Sequence, residues 1–489
     1  MKARGLVGHR EVHGRSPRRP LALVALLTAL LAASAAVAAS APAVPVKVDW
    51  LTFAGNNSRE GWNPAESIIG RGNVHRLRQA WSVKIGGLMN TQPLYAAGVP
   101  VRVRGGHGRI VVKDLVIAAS DKGRVAAVDA ATGKKVWQRR FASLHLSSCG
   151  DLPYYGITGT PVIDRATNSL YLVDGKGVLE HLNLSNGRTR HHRKILSDPS
   201  DEHDWSALTL FHGRIYAELA SYCDNPPYHG QVDAISTRTG RITRWFVTGL
   251  PGPNGGGIWS WGGVSVDPSG RAIYTATGNS IGSSDHLGYA ERVVRLTPKL
   301  RVVASNYPGL PQIGDADFGA TPMLYRAPGC PPQLAVGNKH GTFFVYDRDN
   351  IGRGPVQRIG LGGSSNGSQA LIGVAAYLPT ERTVYVTNPS RRGGFGAGML
   401  AFQVTGNCRL ALRWQAAGPG GATSSPTIAD GVVFYGTGGS GRVIALDARS
   451  GKRLWTSRRM RQVWGPPTVV NGAVYVTSFD GRLRAFTVR

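Results

Sequence analysis

Five stretches of this chain gather residue types that could do chemistry. Residues 314–324, GDADFGATPML, place Asp315 and Asp317 one residue apart. Carboxylates at that spacing on an extended segment point to one side, and a carboxylate can take a proton from a substrate hydroxyl. Ala316 and Gly319 argue for a turn there, so the segment reads equally as an Asp-rich turn capping a strand. Residues 335–350, AVGNKHGTFFVYDRDN, put Lys339 and His340 at a strand-to-strand reversal. A cation there can stabilise developing negative charge, or be an ordinary turn lysine; His340 reads as a turn residue. Residues 255–279, GGGIWSWGGVSVDPSGRAIYTATGN, carry Trp261 and Asn279. An indole offers a flat face for stacking, and an amide oxygen suits a hard cation. The alternative is that Trp261 fills core and Asn279 holds a turn. Asp224 in SYCDNPPYHG and Glu218 just before it are further oxygen donors, and Tyr155 lies in a long loop. No H-E-x-x-H is present, and a hydrolase or lyase has little support.

Residues so far apart meet only if the fold brings them together, and repeats supply the means. Residues 123–137 read GRVAAVDAATGKKVW and residues 441–455 read GRVIALDARSGKRLW. Residues 230–245 and 177–188 are weaker copies. Each is an alternating strand, a turn of small polar residues with Gly, and a second strand that opens on basic residues. One hairpin cannot bury its apolar face alone, so copies along the chain imply a stacked or circular array. Units begin near Thr91, Thr158, Trp205, Trp261, Gly319, Ile372, Thr423 and Gly465. The last has room for about three strands before Arg489, and residues 77–85, LRQAWSVKI, can supply its fourth. That closure removes exposed edges and predicts an all-β, eight-bladed propeller of four-stranded antiparallel blades. A seven-bladed ring is the alternative. Loops near residues 101–114, 143–156, 221–230, 280–289 and 389–398 interrupt the pattern, where a propeller places binding groups.

Composition agrees: 65 Gly and 29 Pro among 489 residues fit a turn-rich β chain. The expected organisation is a signal peptide over residues 1–41, an irregular lead-in over 42–76 and one propeller over 77–489. The signal rests on Arg15, Arg18 and Arg19, an apolar run over 21–37, and small-x-small sites at Ala36–Ala38 and Ala39–Ala41. Ser16-Pro17-Arg18-Arg19 loosely matches a twin-arginine signal. An uncleaved membrane anchor stays open, the apolar run being near the lower limit for spanning. No other apolar stretch is long enough to span, so the mature chain is expected outside the cytoplasmic membrane, secreted or in the cell envelope. Four cysteines, Cys149, Cys223, Cys330 and Cys408, then suggest two disulfides in any of three pairings. Without C-x-x-C, zinc and covalently attached haem are unsupported. The formal charge of +28 is scattered, many of the basic residues following the hairpin turns, unlike the concentrated footprint of a nucleic-acid reader.

The repeat resembles that of pyrroloquinoline-quinone (PQQ) dehydrogenases and their non-enzymatic relatives. Asp49-Trp50-Leu51-Thr52-Phe53, Asn73-Val74 and Ala80-Trp81 resemble the amino-terminal stretch of quinoprotein alcohol dehydrogenases, and D-x-D-F-G-A-T-P is most similar to polyvinyl-alcohol dehydrogenase-like members. The resemblance implies an exported oxidoreductase that oxidises a small or polymeric alcohol with PQQ and calcium and passes electrons to a separate acceptor. It implies Trp261 as the floor under PQQ, Asn279 as a calcium ligand, Asp315 as base and calcium neighbour, and Lys339 on the reactive oxygens. Asp224 is nearest in register to the calcium-binding Glu, and Tyr155 stands where the family has an Arg for the PQQ carboxylates. The family's adjacent Cys pair is reduced here to Cys149, which could bond Cys223 across the mouth. The alternative within the same ancestry is a non-catalytic propeller that binds a protein or a cell-envelope polymer.

Overall fold

The computed structural model describes residues 47–488 except 104–107, 146–151, 250–254, 282–286, 311–316, 362–370, 392–393, 419–420 and 422–423. The signal-peptide expectation, Asp315 and Cys149 therefore lie outside the described residues.

Eight sheets of four or five strands follow one another around a ring, as the repeats predict, antiparallel except where Trp62–Asn63 of the lead-in pairs parallel with Thr427–Ala429. Their main inner strands start at Leu94, Val162, Thr209, Ser265, Met323, Ala376, Thr427 and Thr468. Blade eight has Thr468–Val470, Ala473–Ser478 and Arg482–Val488 from the carboxyl end, and Leu77–Lys84 from the other. Leu77 pairs with Val488 and Lys84 with Arg482, which closes the ring.

The repeat motif explains how neighbouring blades lock. Asp129 ends the strand Arg124–Asp129, and its Oδ1 accepts from the amides of Ala131 and Thr132. Gly133 then takes φ +72°, and a Cβ there would lie 2.7 Å from the Trp81 ring of blade eight. The Trp81 indole donates to Ala130 O at 2.9 Å. Trp137 of blade one repeats the contact on Leu184 O of blade two, Trp414 of blade six on Ala448 O of blade seven, and Trp455 of blade seven on Leu77 O. The Trp of one blade thus caps its neighbour, which is why the D-x-x-x-G turn and the Trp recur together. A disulfide, Cys330–Cys408, joins blade five to blade six. Cys223 is also disulfide-bonded.

The lead-in behaves as a strap. Tyr95 N donates to Trp50 O, Ile163 N to Leu51 O, Val266 N to Asn57 O, Leu324 N to Ser58 O, Tyr377 N to Glu60 O and Ile428 N to Gly61 O. Asn57 reaches Leu210 O and Asn63 reaches Val469 O through their side chains. Residues 50–63 therefore touch the inner strands of all eight blades in order, near the turn that follows each. Arg59 anchors the strap and is fully buried. It donates to Thr52 Oγ1 and Phe53 O at 2.9 Å, to Val264 O at 3.1 Å and to Thr209 Oγ1. The opposite end of the ring carries the segments that lead into the inner strands.

Candidate functional site

Trp259, Ser260 and Trp261 lead into blade four. Ser260 Oγ donates to the buried Glu218 carboxyl at 2.9 Å, and Gly262 N donates to Thr321 Oγ1 of blade five at 2.9 Å. These bonds fix the segment, and its two indoles meet different partners.

Trp261 is buried and stacks on Trp464, ring centroids 6.0 Å apart at 29°. Trp464 leads into blade eight, which faces blade four across the ring, so the two indoles span the axis. Tyr155, Tyr222 and Trp205 extend this apolar cluster, with Phe479 beneath Trp464. Tyr155 is buried, with its ring 4.0 Å from His203 and 4.6 Å from Tyr222. The imidazole of His203 has no hydrogen-bond partner among the described residues, and burial lowers its pKa to about 4, so it is neutral near pH 7. The indole N–H groups of Trp205 and Trp261 are likewise buried without an acceptor.

Trp259 stands between the indole pair and the charged residues. Its Nε1 donates to Asp317 Oδ2 at 3.1 Å, and Lys339 Nζ lies 4.7 Å from its ring centroid. Lys339 Nζ is 3.2 Å from Asp317 Oδ1, and Lys339 N donates to Asp317 O at 2.9 Å. Lys339 thus holds Asp317 by both side chain and backbone. Asp317 also packs against the turn before Asn279: a Cβ on Gly278 would lie 2.8 Å from Asp317 Oδ2. Asn279 is half-buried; its amide donates to Ser280 O at 3.4 Å and its carbonyl accepts from Gly256 N.

Asp224 sits at the rim. It is exposed and adopts φ +48°, and it accepts a hydrogen bond from the buried Tyr228 hydroxyl. Burial pushes the Tyr228 phenol far up, and the charges of Asp224 and Asp317 push it further, so it stays a proton donor. Tyr228 thus lies within electrostatic reach of both carboxylates. Glu218 is buried under the tryptophan segment, accepting from Thr275 Oγ1 at 2.6 Å and from Ser260. Burial raises its carboxyl to about 7 against hydrogen bonds and the charge of Arg59, which pull it down. Burial pushes the neighbouring Asp204 well up, and Glu218 adds to that.

The structure therefore brings Lys339 and Asp317 together on Trp259, with the turn before Asn279 against Asp317 and Trp261 on the same segment as Trp259. It keeps Tyr155 in the aromatic wall and Asp224 on Tyr228. Sequence reasoning missed Trp259 and the role of Glu218 beneath it. The signal for Trp259 was the W-S-W spacing.

This arrangement has an oxygen-rich, cationic side and a flat aromatic side, with unfilled indole donors between. It suits a planar ligand carrying several oxygens, and that fit extends to PQQ. For a metal the fit is incomplete: the described residues gather no three His, Cys, Asp or Glu side chains in one place.

Comparison with known proteins agrees with the architecture. The family described as outer membrane protein assembly factor BamB, of PQQ-like repeats, matches residues 73–245 and 409–489, more than half of the chain. A polyvinylalcohol dehydrogenase from a Pseudomonas species is 24% identical over 480 residues, covering 84% of this chain and 70% of the relative. Quinohemoprotein alcohol dehydrogenase from Comamonas testosteroni superposes with a TM-score of 0.68 at 16% identity, over 90% of this chain and 80% of that one. BamB from Moraxella catarrhalis superposes with 0.53 at 15% identity, over 84% and 99%. No helix among the described residues is long and apolar enough to cross a membrane.

Proposed function

The chain belongs to the family of PQQ-like repeat propellers described as outer membrane protein assembly factor BamB, and from that premise we propose that it is an exported oxidoreductase that oxidises an alcohol with bound PQQ. The observation that carries the reading is the meeting of Lys339, Asp317 and the Gly278–Asn279 turn around Trp259, beside Trp261. The similarity to polyvinylalcohol dehydrogenase over most of the chain supports it.

When bound, the quinone supplies the acceptor for the alcohol's hydride. Trp261 gives it a flat apolar surface, and the free indole N–H groups of Trp205 and Trp261 offer donors to its oxygens. Lys339 supplies a fixed positive charge where negative charge develops. Its ion pair with Asp317 holds that cation in place beforehand, so little reorganisation accompanies the reaction. Asp315, two residues before Asp317, is the proposed base that takes the alcohol proton. Asn279, Asp315 and Asp224 are the oxygen donors a calcium ion would take. No step is derived through the metal, because the described residues alone do not complete its shell. Tyr155 lines the wall near the cofactor, and electrons leave to a separate acceptor.

A second reading has its own observation. Trp261 and Trp464 already stack on each other across the axis, as a plugged, non-catalytic binding propeller requires. One experiment separates the two. Purified protein is incubated with PQQ and calcium, and alcohol-dependent reduction of an artificial electron-accepting dye is followed, with polyvinyl alcohol and short alcohols as substrates. The enzymatic reading expects turnover that needs PQQ. Absence of turnover with every alcohol would leave the binding propeller.

A further inference from the structure

A second cavity lies at the strap end of the ring. The inner strand Ser265–Val266 runs from the Trp261 side toward Asp267, so the turn after it is remote from the candidate site. A groove of about 710 Å³ opens there between blades four and five, within the range of small-molecule sites.

Four guanidinium groups line it: Arg271, Arg295, Arg326 and Arg348. Two are partly neutralised. Arg348 lies 3.6 Å from Asp267, and Arg295 lies 3.7 Å from Asp349. Each keeps a buried Nε–H without an acceptor among the described residues. Arg271 and Arg326 are exposed and form no ion pair among the described residues. Their Nε atoms reach only Ser269 Oγ and Cys330 O. The third acid, Glu60, accepts from Asn56, and burial raises its pKa against that bond and the charge of Arg348.

The groove wall adds a further unfilled donor. Tyr325 is 2% exposed, and its hydroxyl has no hydrogen-bond partner among the described residues. Its ring packs at 5.0 Å from that of Tyr377, making an apolar wall. A buried donor left unpaired costs about 1–3 kcal/mol, so a site that leaves three in one groove is built for an acceptor-rich guest. Guanidinium forks match the oxygens of a phosphate group, and the tyrosine wall suits the organic part of its ester.

We propose that this groove binds a phosphate ester, with Arg271 and Arg326 on the phosphate and Tyr325 donating to the same ligand. The inference is independent of the dehydrogenase reading. The phosphate can belong to a free small molecule or to a lipid headgroup at the cell surface.

Isothermal titration of the full chain with sn-glycerol 3-phosphate, against glycerol at equal ionic strength, tests it. The expected result is saturable, equimolar binding, at least about tenfold weaker in R271Q/R326Q, which is about 1.4 kcal/mol. Y325F, which removes only a hydroxyl, should weaken binding with an unchanged melting temperature. Flotation with phosphatidylglycerol vesicles separates the sources. Flotation lost in R271Q/R326Q assigns the site to lipid. Flotation equal in both proteins, with glycerol phosphate binding retained in the wild type, assigns it to a free ester. Absence of glycerol phosphate binding, or binding unchanged in both variants, would overturn the proposal.

Discussion

Replacing Glu218 by Gln should stabilise the protein, by an amount that grows with pH. Glu218 is buried, and burial lifts its carboxyl from 4.5 to about 7 in the folded chain. Below pH 4.5 the acid is neutral in both folded and unfolded states and costs nothing. Between pH 4.5 and about 7 the unfolded chain ionises this group while the folded chain keeps its proton, so stability is lost over that window and levels off above it. The gap between 4.5 and about 7, at about 1.36 kcal/mol per pH unit, gives on the order of 3 kcal/mol. Gln mimics the protonated acid. Its carbonyl accepts from Thr275 Oγ1, and its amide donates to Ser260 Oγ, which turns its own hydrogen elsewhere. The charged groups that face Glu218 are Arg59, which the variant leaves without a counter-charge, and Asp204, which then ionises more readily. Urea midpoints of wild type and E218Q would be compared at pH 5, 6, 7 and 8. The variant should exceed the wild type by under about 1 kcal/mol at pH 5, by more at pH 6 and 7, and by about 3 kcal/mol at pH 8. A difference that is flat with pH, or that favours the wild type at high pH, would refute the account of Glu218.

Other outcomes follow from the fold. Arg59→Met removes the donor to Thr52 Oγ1, Phe53 O, Thr209 Oγ1 and Val264 O, of which Val264 O keeps the Thr209 hydroxyl, and takes the buried cation from Glu218; it should cost about 3–5 kcal/mol in urea denaturation. Burial lowers the Arg59 pKa from 12.5 to about 9, so above pH 9 the folded state sheds a costly buried charge that the unfolded chain still carries; that should raise wild-type stability over this window, and R59M should lack the effect. Cys330→Ser with Cys408→Ser opens a cross-link spanning 78 residues and should lower stability by up to about 4 kcal/mol, measured without reductant. Trp137→Phe keeps a ring but removes the donor to Leu184 O, and should cost about 1 kcal/mol by the same denaturation measurement.

The ring was readable because its signals are local and repeated. Alternation, the D-x-x-x-G turn and the recurring Trp set blade number, and the chain ends supplied one three-stranded sheet and one spare strand. The strap was invisible for the opposite reason. Residues 50–63 bond to all eight blades at uneven intervals, so they carry no period. Lys339 and Asn279 stood out only through motif register, since no spacing rule brings residues 60 apart together. Trp259 escaped notice because register favoured Trp261, and only the fold shows that Asp317 and Lys339 meet the first indole of the pair. Glu218 read as a candidate oxygen donor, whereas its strand turns it inward beneath Ser260.

The central claim concerns a ligand held between an aromatic plate and a fixed cation. The most direct measurement is quenching of tryptophan fluorescence on titrating the full chain with PQQ in the presence of calcium, for wild type and K339Q. The account predicts saturable, equimolar quenching that weakens at least about tenfold in K339Q, as loss of a charge-assisted contact requires. Unsaturable quenching, or equal affinity in both proteins, would contradict it.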